Sequence, residues 1–297
     1  MWFRNLQLFR LPVPWQITLE QLENQLARGA FQRCPSNEPM SRGWVSPRGD
    51  GALVYAQNRQ WLLCLCIEQR LLPSTVIGEV VSERAAEMAA QSGFPPGRKQ
   101  MRELRERVTE ELLPKAFTRK RKTQVWIDPQ QGWLGIDAAS PAKAEEVLEH
   151  LRWSLDEFPL ELLHTAHSPT AAMADWLASG EAPAGFTIDR DCELKSVSEE
   201  KAAVRYVRHP LEGDEIRAHL AAGKAPTRLA LTWNDHISFV LTEKLEIKRI
   251  AFLDLLKEEA ERGNAEDQFD ADFALMSGEF GRFLPELVEA LGGEEAE

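Results

Sequence analysis

Residues 113–128 read LPKAFTRKRKTQVWID, and the rest of the chain can be interpreted outward from this stretch. Pro114 cannot continue a helix, so the helical pattern before it must end there. The chain is then basic over residues 119–122 and apolar over residues 125–127, which predicts a strand that runs from solvent into a core. Side chains alternate between the two faces of a strand, so only half of the basic run can reach one ligand.

This basic run lies in a larger basic segment of an acidic protein. The 297-residue chain has a formal net charge of -12, yet residues 98–122 hold ten basic and four acidic side chains. Residues 254–297 hold fourteen acidic and three basic side chains. This asymmetry predicts an anion-binding region, with an acidic segment that could compete for it. The alternative is a solvated helix face followed by a solvated strand edge.

Length and composition are typical of a globular protein with two or three subdomains. No apolar run approaches the length of a membrane span and no signal-peptide pattern opens the chain, so we expect a cytoplasmic location. The pair Cys64 and Cys66 lacks the further ligands that a zinc site needs. Neither a dinucleotide-binding motif nor a P-loop is present. We therefore expect no metal and no cofactor.

Turn and capping signals divide the chain into short elements. Hairpins are predicted around Asn58-Arg59, around residues 129–132 and around Asn234-Asp235, while Ser140 and Ser168, each followed by proline, are predicted helix N-caps. The last region, residues 253–291, is predicted to be helical with breaks near Gly263 and Gly278. Because the helices are not spaced as βαβ units, the predicted class is α+β with mainly antiparallel sheets.

The chain resembles the bacterial recombination-associated protein RdgC family in motifs that occur in order along its whole length. These are MWFRNL at residues 1–6, LLPKAF at 112–117, WID at 126–128, FDADF at 269–273, LMSGE at 275–279 and EALGG at 289–293. The resemblance implies a nucleoid-associated protein, not an enzyme, that binds duplex DNA with little sequence preference, and single strands more weakly. It also implies that the protein limits RecA-promoted strand exchange.

The resemblance further implies horseshoe-like subunits that close at both ends into a homodimeric ring with a basic hole. A ring would hide a basic lining inside an otherwise acidic molecule, and closure requires a self-complementary surface at each contact. We predict a central α+β subdomain (residues 1–75 and 118–180), a helical lobe (76–117 and 253–297) and a strand-rich tip lobe (181–252).

Individual residues are assigned by the same resemblance. Phe117 matches a position whose ring packs at one subunit contact, and His209 follows Arg208 in a polar pair near the other. The resemblance assigns Arg98, Lys99, Lys115, Arg208 and Lys224 to DNA binding. The basic run adds Arg119 and Arg121, so the predicted DNA-binding residues are these seven. Judged without the family, Phe117 could be a core aromatic residue, and Lys115 could interact with the C-terminal dipole of the preceding helix.

Two other functions remain open from the sequence. Glu193-Leu194-Lys195, with Asp175, Asp189 or Asp191 upstream, resembles half of a metal-dependent nuclease site. A second acidic set, Asp270, Asp272 and Glu279, has a spacing that does not converge on one helix face. Alternatively, the protein is an oligomeric, protein-binding scaffold whose basic residues 98–122 meet the acidic stretch after Asp254, either that of another chain or its own.

Overall fold

A computed structural model describes residues 2–196, 202–253 and 265–295. The strands are β1 (Asn5–Arg10), β2 (Met40–Val45), β3 (Tyr55–Gln57), β4 (Gln60–Arg70), β5 (Thr118–Asp128), β6 (Trp133–Ile136), β7 (Glu161–Leu162), β8 (Phe186–Ser196), β9 (Ala203–Tyr206), β10 (Lys224–Trp233), β11 (Ile237–Thr242) and β12 (Ile247–Phe252). The helices are α1 (Leu19–Ala27), α2 (Ser74–Ser92), α3 (Arg98–Leu112), α4 (Pro141–Ser154), α5 (Pro169–Ser179), α6 (Asp214–Ala221) and α7 (Ala265–Ala290). The predicted α+β class is confirmed.

The strands form one sheet in which every pairing between named strands is antiparallel, in the order β2-β4-β5-β6-β1-β12-β11-β10-β8-β9. Strand β1 joins its two halves, because Asn5 and Leu6 pair with β12 while residues 7–10 pair with β6. We call β2–β6 the N-terminal half-sheet and β8–β12 the C-terminal half-sheet. Strands β3 and β7 pair with β4 and β1 beside the main order.

Local turn chemistry produces the predicted hairpins. Asn58 and Arg59 between β3 and β4 have φ values of 51° and 64°, and Asn234 and Asp235 between β10 and β11 have φ values of 44° and 55°. Positive φ at both central residues is the geometry of the two-residue turn that matches the twist of paired strands. Both predicted hairpins are therefore confirmed, as is the one between β5 and β6.

Helix caps follow the sequence signals with one exception. Thr18 and Gln21 form a reciprocal capping box at the start of α1, and the Ser168 hydroxyl accepts from the Ala171 N–H at the start of α5. Ser140 is the N-cap residue of α4, but its side chain makes no capping hydrogen bond. Pro141 in the first turn still sets the backbone for that helix.

Helices α5 and α7 pack on one face of the sheet, and helices α1 and α4 pack on the other face of its N-terminal half. Because side chains alternate along a strand, Trp126 of β5 enters one core with α5 and α7, while its neighbours Val125 and Ile127 enter a second core with α1 and α4. On the C-terminal half-sheet, the face opposite α7 carries polar side chains such as Arg228 and Ser238, and no described helix builds a hydrophobic core on it.

Helices α2 and α3 form a hairpin with a small core of their own. Ile77 and Val81 of α2 pack against Leu104 and Val108 of α3. Residues 93–97 connect the two helices, and Gly93, with a φ of 83°, ends α2. Among the helices that the structure describes, none is both long and apolar enough to cross a membrane. The subdomain borders given above stay a prediction.

The predicted break near Gly278 is wrong, because α7 continues through this residue. Glycine in a helix interior costs roughly 0.5–1 kcal/mol relative to alanine. Met276 and Phe280 on either side of Gly278 are fully buried, so their burial outweighs that local cost. Residues 254–264, including the other predicted break at Gly263, lie outside the described residues.

Gly278→Ala is expected to stabilise the protein by roughly 0.5–1 kcal/mol, because an added Cβ would meet nothing within 4 Å. Gly43→Ala is the matched contrast, since its Cβ would lie 2.4 Å from the Phe31 Cα and the backbone of β2 would have to shift. Urea unfolding of both variants measures the two effects. Changes in the free energy of unfolding that had the same sign in both variants, or the opposite signs to these, would contradict this account of α7 and β2.

Candidate nucleic-acid interface

The predicted DNA-binding residues lie toward two ends of the sheet. Strand β5, which carries Arg119 and Arg121, is third in the strand order, and β9, which precedes Arg208, is last. Seven strand-to-strand steps of about 4.8 Å separate them by up to about 34 Å along the sheet. Arg98 and Lys99 begin α3, Lys115 lies in the 3₁₀ turn at Leu113–Lys115, and Lys224 begins β10.

Phe117 is 84% exposed, so it is not a core aromatic residue in the subunit. Its backbone is held in place, because the Phe117 carbonyl accepts a hydrogen bond of 2.7 Å from the Leu71 N–H. Lys115 and Arg119 on either side are also exposed. The end of the sheet therefore presents an apolar ring between two cations on a fixed backbone.

The predicted cations on α3 and around Phe117 have weak ion pairs or none. Lys115 Nζ lies 3.4 Å from Glu111, and Lys99 Nζ lies 4.0 Å from Glu103. Arg98 and Arg119 have no ion-pair partner among the residues that the structure describes. Surface ion pairs of this kind contribute about 0–1 kcal/mol, so a phosphate group can replace the carboxylate partner at little cost.

Arg121 differs from its neighbours because it pairs with Glu146 of α4. Lys120 lies on the other face, where its Nζ is 4.0 Å from Glu68 and 5.0 Å from the centroid of the Phe31 ring. These partners confirm the predicted alternation of the basic run. Arg121 must exchange a carboxylate partner before it can bind a phosphate group, so it is a weaker candidate than Arg119.

The other end of the sheet presents an exposed turn after β9. Arg208 has a φ of 53°, in the left-handed region, and its N–H donates a 2.8 Å hydrogen bond to Asp191. The His209 Nδ1 lies 2.7 Å from the Pro210 carbonyl oxygen and 3.5 Å from Glu215. Positive φ at a residue other than glycine costs conformational energy. The hydrogen bond to Asp191 stabilises this backbone conformation and so fixes the direction of the chain after β9.

Lys224 lies on the same part of the sheet but has a partner. Its Nζ donates to the His219 Nδ1 at 3.0 Å, and its side chain is half-buried. The Tyr206 ring lies near two imidazoles, with centroid distances of 5.4 Å to His209 and 6.3 Å to His219. Lys224 therefore belongs to a small polar cluster beside the Arg208 turn.

The carboxylates of the possible nuclease site have separate partners. Glu193 pairs with Lys195 at 2.9 Å and accepts from the Thr227 hydroxyl at 2.9 Å, and the hydrogen bond from Lys195 lowers the Glu193 pKa. Asp189 accepts from Thr232, and burial raises the Asp189 pKa. Within residues 2–196, 202–253 and 265–295, no group of three His, Cys, Asp or Glu side chains could hold a metal ion.

The second acidic set also divides among different partners, as its spacing predicts. Asp270 pairs with Arg48 at 2.9 Å and accepts from the Tyr55 hydroxyl at 2.7 Å. Glu279 is 1% exposed and lies 3.1 Å from the His236 Nδ1. These contacts attach α7 to the sheet and give the carboxylates a structural role.

Two acidic residues of the C-terminal end have partners outside the basic segment 98–122. Glu286 accepts from the Trp233 indole N–H at 2.7 Å, and Glu294 pairs with Arg10 at 2.8 Å. Residues 254–264 of the acidic stretch lie outside the described residues. Glu286 and Glu294 therefore do not pair with residues 98–122 of their own chain, and the scaffold hypothesis stays a prediction.

The four cysteines are buried free thiols. Burial raises the pKa of Cys64 to about 11 and that of Cys192 to about 12. Thiols with such pKa values are almost wholly protonated at neutral pH and are poor nucleophiles.

Sequence reasoning missed a cleft on the uncovered face of the C-terminal half-sheet. We call it the sheet cleft, a cavity of about 190 Å³ lined among others by Asp191, Glu193, Arg205, Arg228, Lys248 and Arg249. Leu229 and Leu231 of β10 point into the core, which puts Arg228 on the opposite face. The alternation along β10 could be predicted from the sequence, but the strands that pair with β10 could not.

Comparisons with known proteins identify the family. A family model described as "Putative exonuclease, RdgC" matches residues 1–294. A protein from Dechloromonas aromatica (strain RCB) named "Recombination-associated protein RdgC" is 70% identical, and the match covers 100% of this chain and 99% of that protein. Proteins of the same name from Herminiimonas arsenicoxydans and Janthinobacterium sp. (strain Marseille) are 57% and 56% identical over at least 99% of each chain. The chain belongs to the RdgC family of recombination-associated proteins.

Proposed function

We propose that this protein is a nucleoid-associated cytoplasmic protein that binds duplex DNA with little sequence preference as a ring-shaped homodimer and restrains RecA-promoted strand exchange. The observation that carries the proposal is Phe117, which is 84% exposed between two exposed cations at one end of the sheet. The Arg208-His209 turn lies at the other end. The name of the relatives, which associates them with recombination, supports the same function.

Closure into a ring needs two contacts, each formed by the same surface of both subunits. Phe117 supplies the apolar part of one contact, and full burial of a phenylalanine side chain contributes about 1.5–3 kcal/mol. Arg208 and His209 belong to the other contact. Because the two contacts lie seven strands apart in one sheet, a pair of subunits that meets at both encloses a space between them.

Duplex binding in this account works by phosphate neutralisation. Arg98 and Arg119 have no competing carboxylate among the described residues, and the exposed pairs of Lys99 and Lys115 are weak. Lysine and arginine release counterions from the DNA when they approach its phosphates, so affinity does not depend on base sequence. A ring that encircles the duplex also dissociates slowly and blocks access of a recombinase filament to homologous DNA. No covalent step is required.

A salt series tests DNA binding directly. If about eight phosphates are neutralised, log K is expected to fall with log [salt] at a slope of roughly -7. Fluorescence anisotropy with linear duplexes of unrelated sequence measures that slope, and the unrelated sequences serve as controls for specificity. A flat salt dependence, or no binding at moderate salt, would contradict the proposal and favour a protein-binding scaffold.

A metal-dependent exonuclease is the second candidate, and the description of the matching family model favours it. The Glu193–Lys195 pair, 2.9 Å apart, is the part of the chain that such an activity would use. Incubation of linear duplex with Mg²⁺, with and without EDTA, decides the question. We expect no degradation in either case. EDTA-sensitive degradation that is abolished by Glu193→Ala would establish the enzyme instead.

A further inference from the structure

Two arginines in the sheet cleft flank one glutamate across three neighbouring strands. Glu193 of β8 is in register with Arg205 of β9 on one side and with Arg228 of β10 on the other. Strands are about 4.8 Å apart, so the backbones of the two arginines lie about 10 Å from each other. Both side chains are exposed. Their guanidinium groups can therefore approach one ligand from two sides.

The acidic residues of the sheet cleft are already engaged. Glu193 pairs with Lys195 at 2.9 Å, and Asp191 accepts from the Arg208 N–H at 2.8 Å and lies 3.9 Å from Arg249. Lys248 pairs with Glu246 at 2.9 Å. Each of these charges has a local counter-charge, so the pairs add little net potential to the cleft.

Arg205 and Arg228 have no ion-pair partner among the residues that the structure describes. The sheet cleft therefore has an excess of positive charge that comes from two arginines. The planar guanidinium fork matches the oxygens of a phosphate group and donates two parallel hydrogen bonds to it. Since a water molecule occupies about 30 Å³ in the liquid, a cavity of about 190 Å³ has room for a phosphate group and several waters.

We propose that the sheet cleft is a phosphate-binding site in which Arg205 and Arg228 hold a backbone phosphate of the bound duplex. This inference rests on the proposed function and extends it from the Arg208 turn to the uncovered face of the neighbouring strands β9 and β10. Asp191 connects the two regions, because it lines the cleft and also holds the backbone of Arg208. A free phosphate or nucleotide would present the same chemistry, so the experiment separates the two sources.

The experiment measures binding of the full chain and its variants to a linear duplex over a salt series. Arg205→Gln and Arg228→Gln are each expected to make the slope of log K against log [salt] shallower by about 1, equally for unrelated sequences. Arg228→Lys keeps the charge and loses the fork, so it is expected to retain the slope with weaker binding. Arg152→Gln is the control, because Arg152 is exposed on α4 and pairs with Glu145 at 2.7 Å.

Each outcome decides the proposal. Unchanged slopes for both cleft variants, with normal binding by the unsubstituted protein, would overturn the cleft site and leave the proposed function intact. If the unsubstituted protein does not bind duplex at all, the proposed function fails, and calorimetric titration with inorganic phosphate then tests the cleft alone. If the protein binds phosphate and Arg228→Gln does not, the sheet cleft is a site for free phosphate. If the protein does not bind phosphate, the sheet cleft is not a phosphate site.

Discussion

Replacing Phe280 by alanine is expected to lower the free energy of unfolding by about 3–5 kcal/mol. Phe280 of α7 is fully buried, and its ring centroid lies 5.4–5.9 Å from those of Phe3, Trp126 and Phe252. Trp126 belongs to the N-terminal half-sheet and Phe252 to the C-terminal half-sheet. The cavity left by alanine would therefore open where the two halves meet, and packed sheets cannot move to close it.

Phe280→Leu is the matched control, because leucine keeps most of the side-chain volume and is expected to cost much less than alanine. Urea unfolding monitored by tryptophan fluorescence measures both variants. A loss of less than about 1 kcal/mol in Phe280→Ala would contradict the packing of α7 against both half-sheets. A second unfolding transition in the variant would show that the half-sheets had become separate folding units.

Replacing Phe117 by alanine is expected to weaken self-association without lowering the stability of the subunit. The ring is 84% exposed in the subunit, so folding gains little from it, whereas burial at a two-fold contact would remove the ring of each copy from water. Each ring that is lost removes about 1.5–3 kcal/mol of burial energy, which corresponds to a roughly tenfold to hundredfold increase in the dimer dissociation constant. Sedimentation over a range of protein concentrations measures the change.

Phe94→Ala is the control for this prediction, since Phe94 is also an exposed aromatic residue, at 66%, but lies in the turn between α2 and α3. It is expected to leave self-association unchanged. If the protein and the Phe117→Ala variant associate equally strongly, Phe117 is not part of the subunit contact. A lower stability of Phe117→Ala in urea would instead show that the ring packs within its own subunit.

Elements determined by neighbouring residues could be predicted from the sequence. The Thr18–Gln21 capping box and the turns at Asn58 and Asn234 depend on local backbone chemistry, and all of them are present. The continuation of α7 through Gly278 could not be predicted, because it depends on burial of Met276 and Phe280 against distant strands. The single sheet was also hidden, because the two ends of β1 pair with strands that are more than 100 residues away.

The candidate site shows the same division. The sequence located the basic run and its alternation, but it could not show that Arg121 pairs with Glu146, because that contact depends on how α4 packs. Nor could it decide between a buried and an exposed Phe117, since an aromatic residue before a strand is compatible with both. Arg205 and Arg228 were overlooked because their common neighbour, Glu193, becomes visible only in the strand register.

Topological closure on DNA is tested most directly by the rate of release from closed-circular and linear duplexes of the same sequence. A closed ring can slide off a free end but must open to leave a circle. We expect slower release from closed circles, and we expect Phe117→Ala to abolish the difference by weakening one contact. Equal release rates from circles and linear duplexes, with both forms bound at moderate salt, would contradict encirclement.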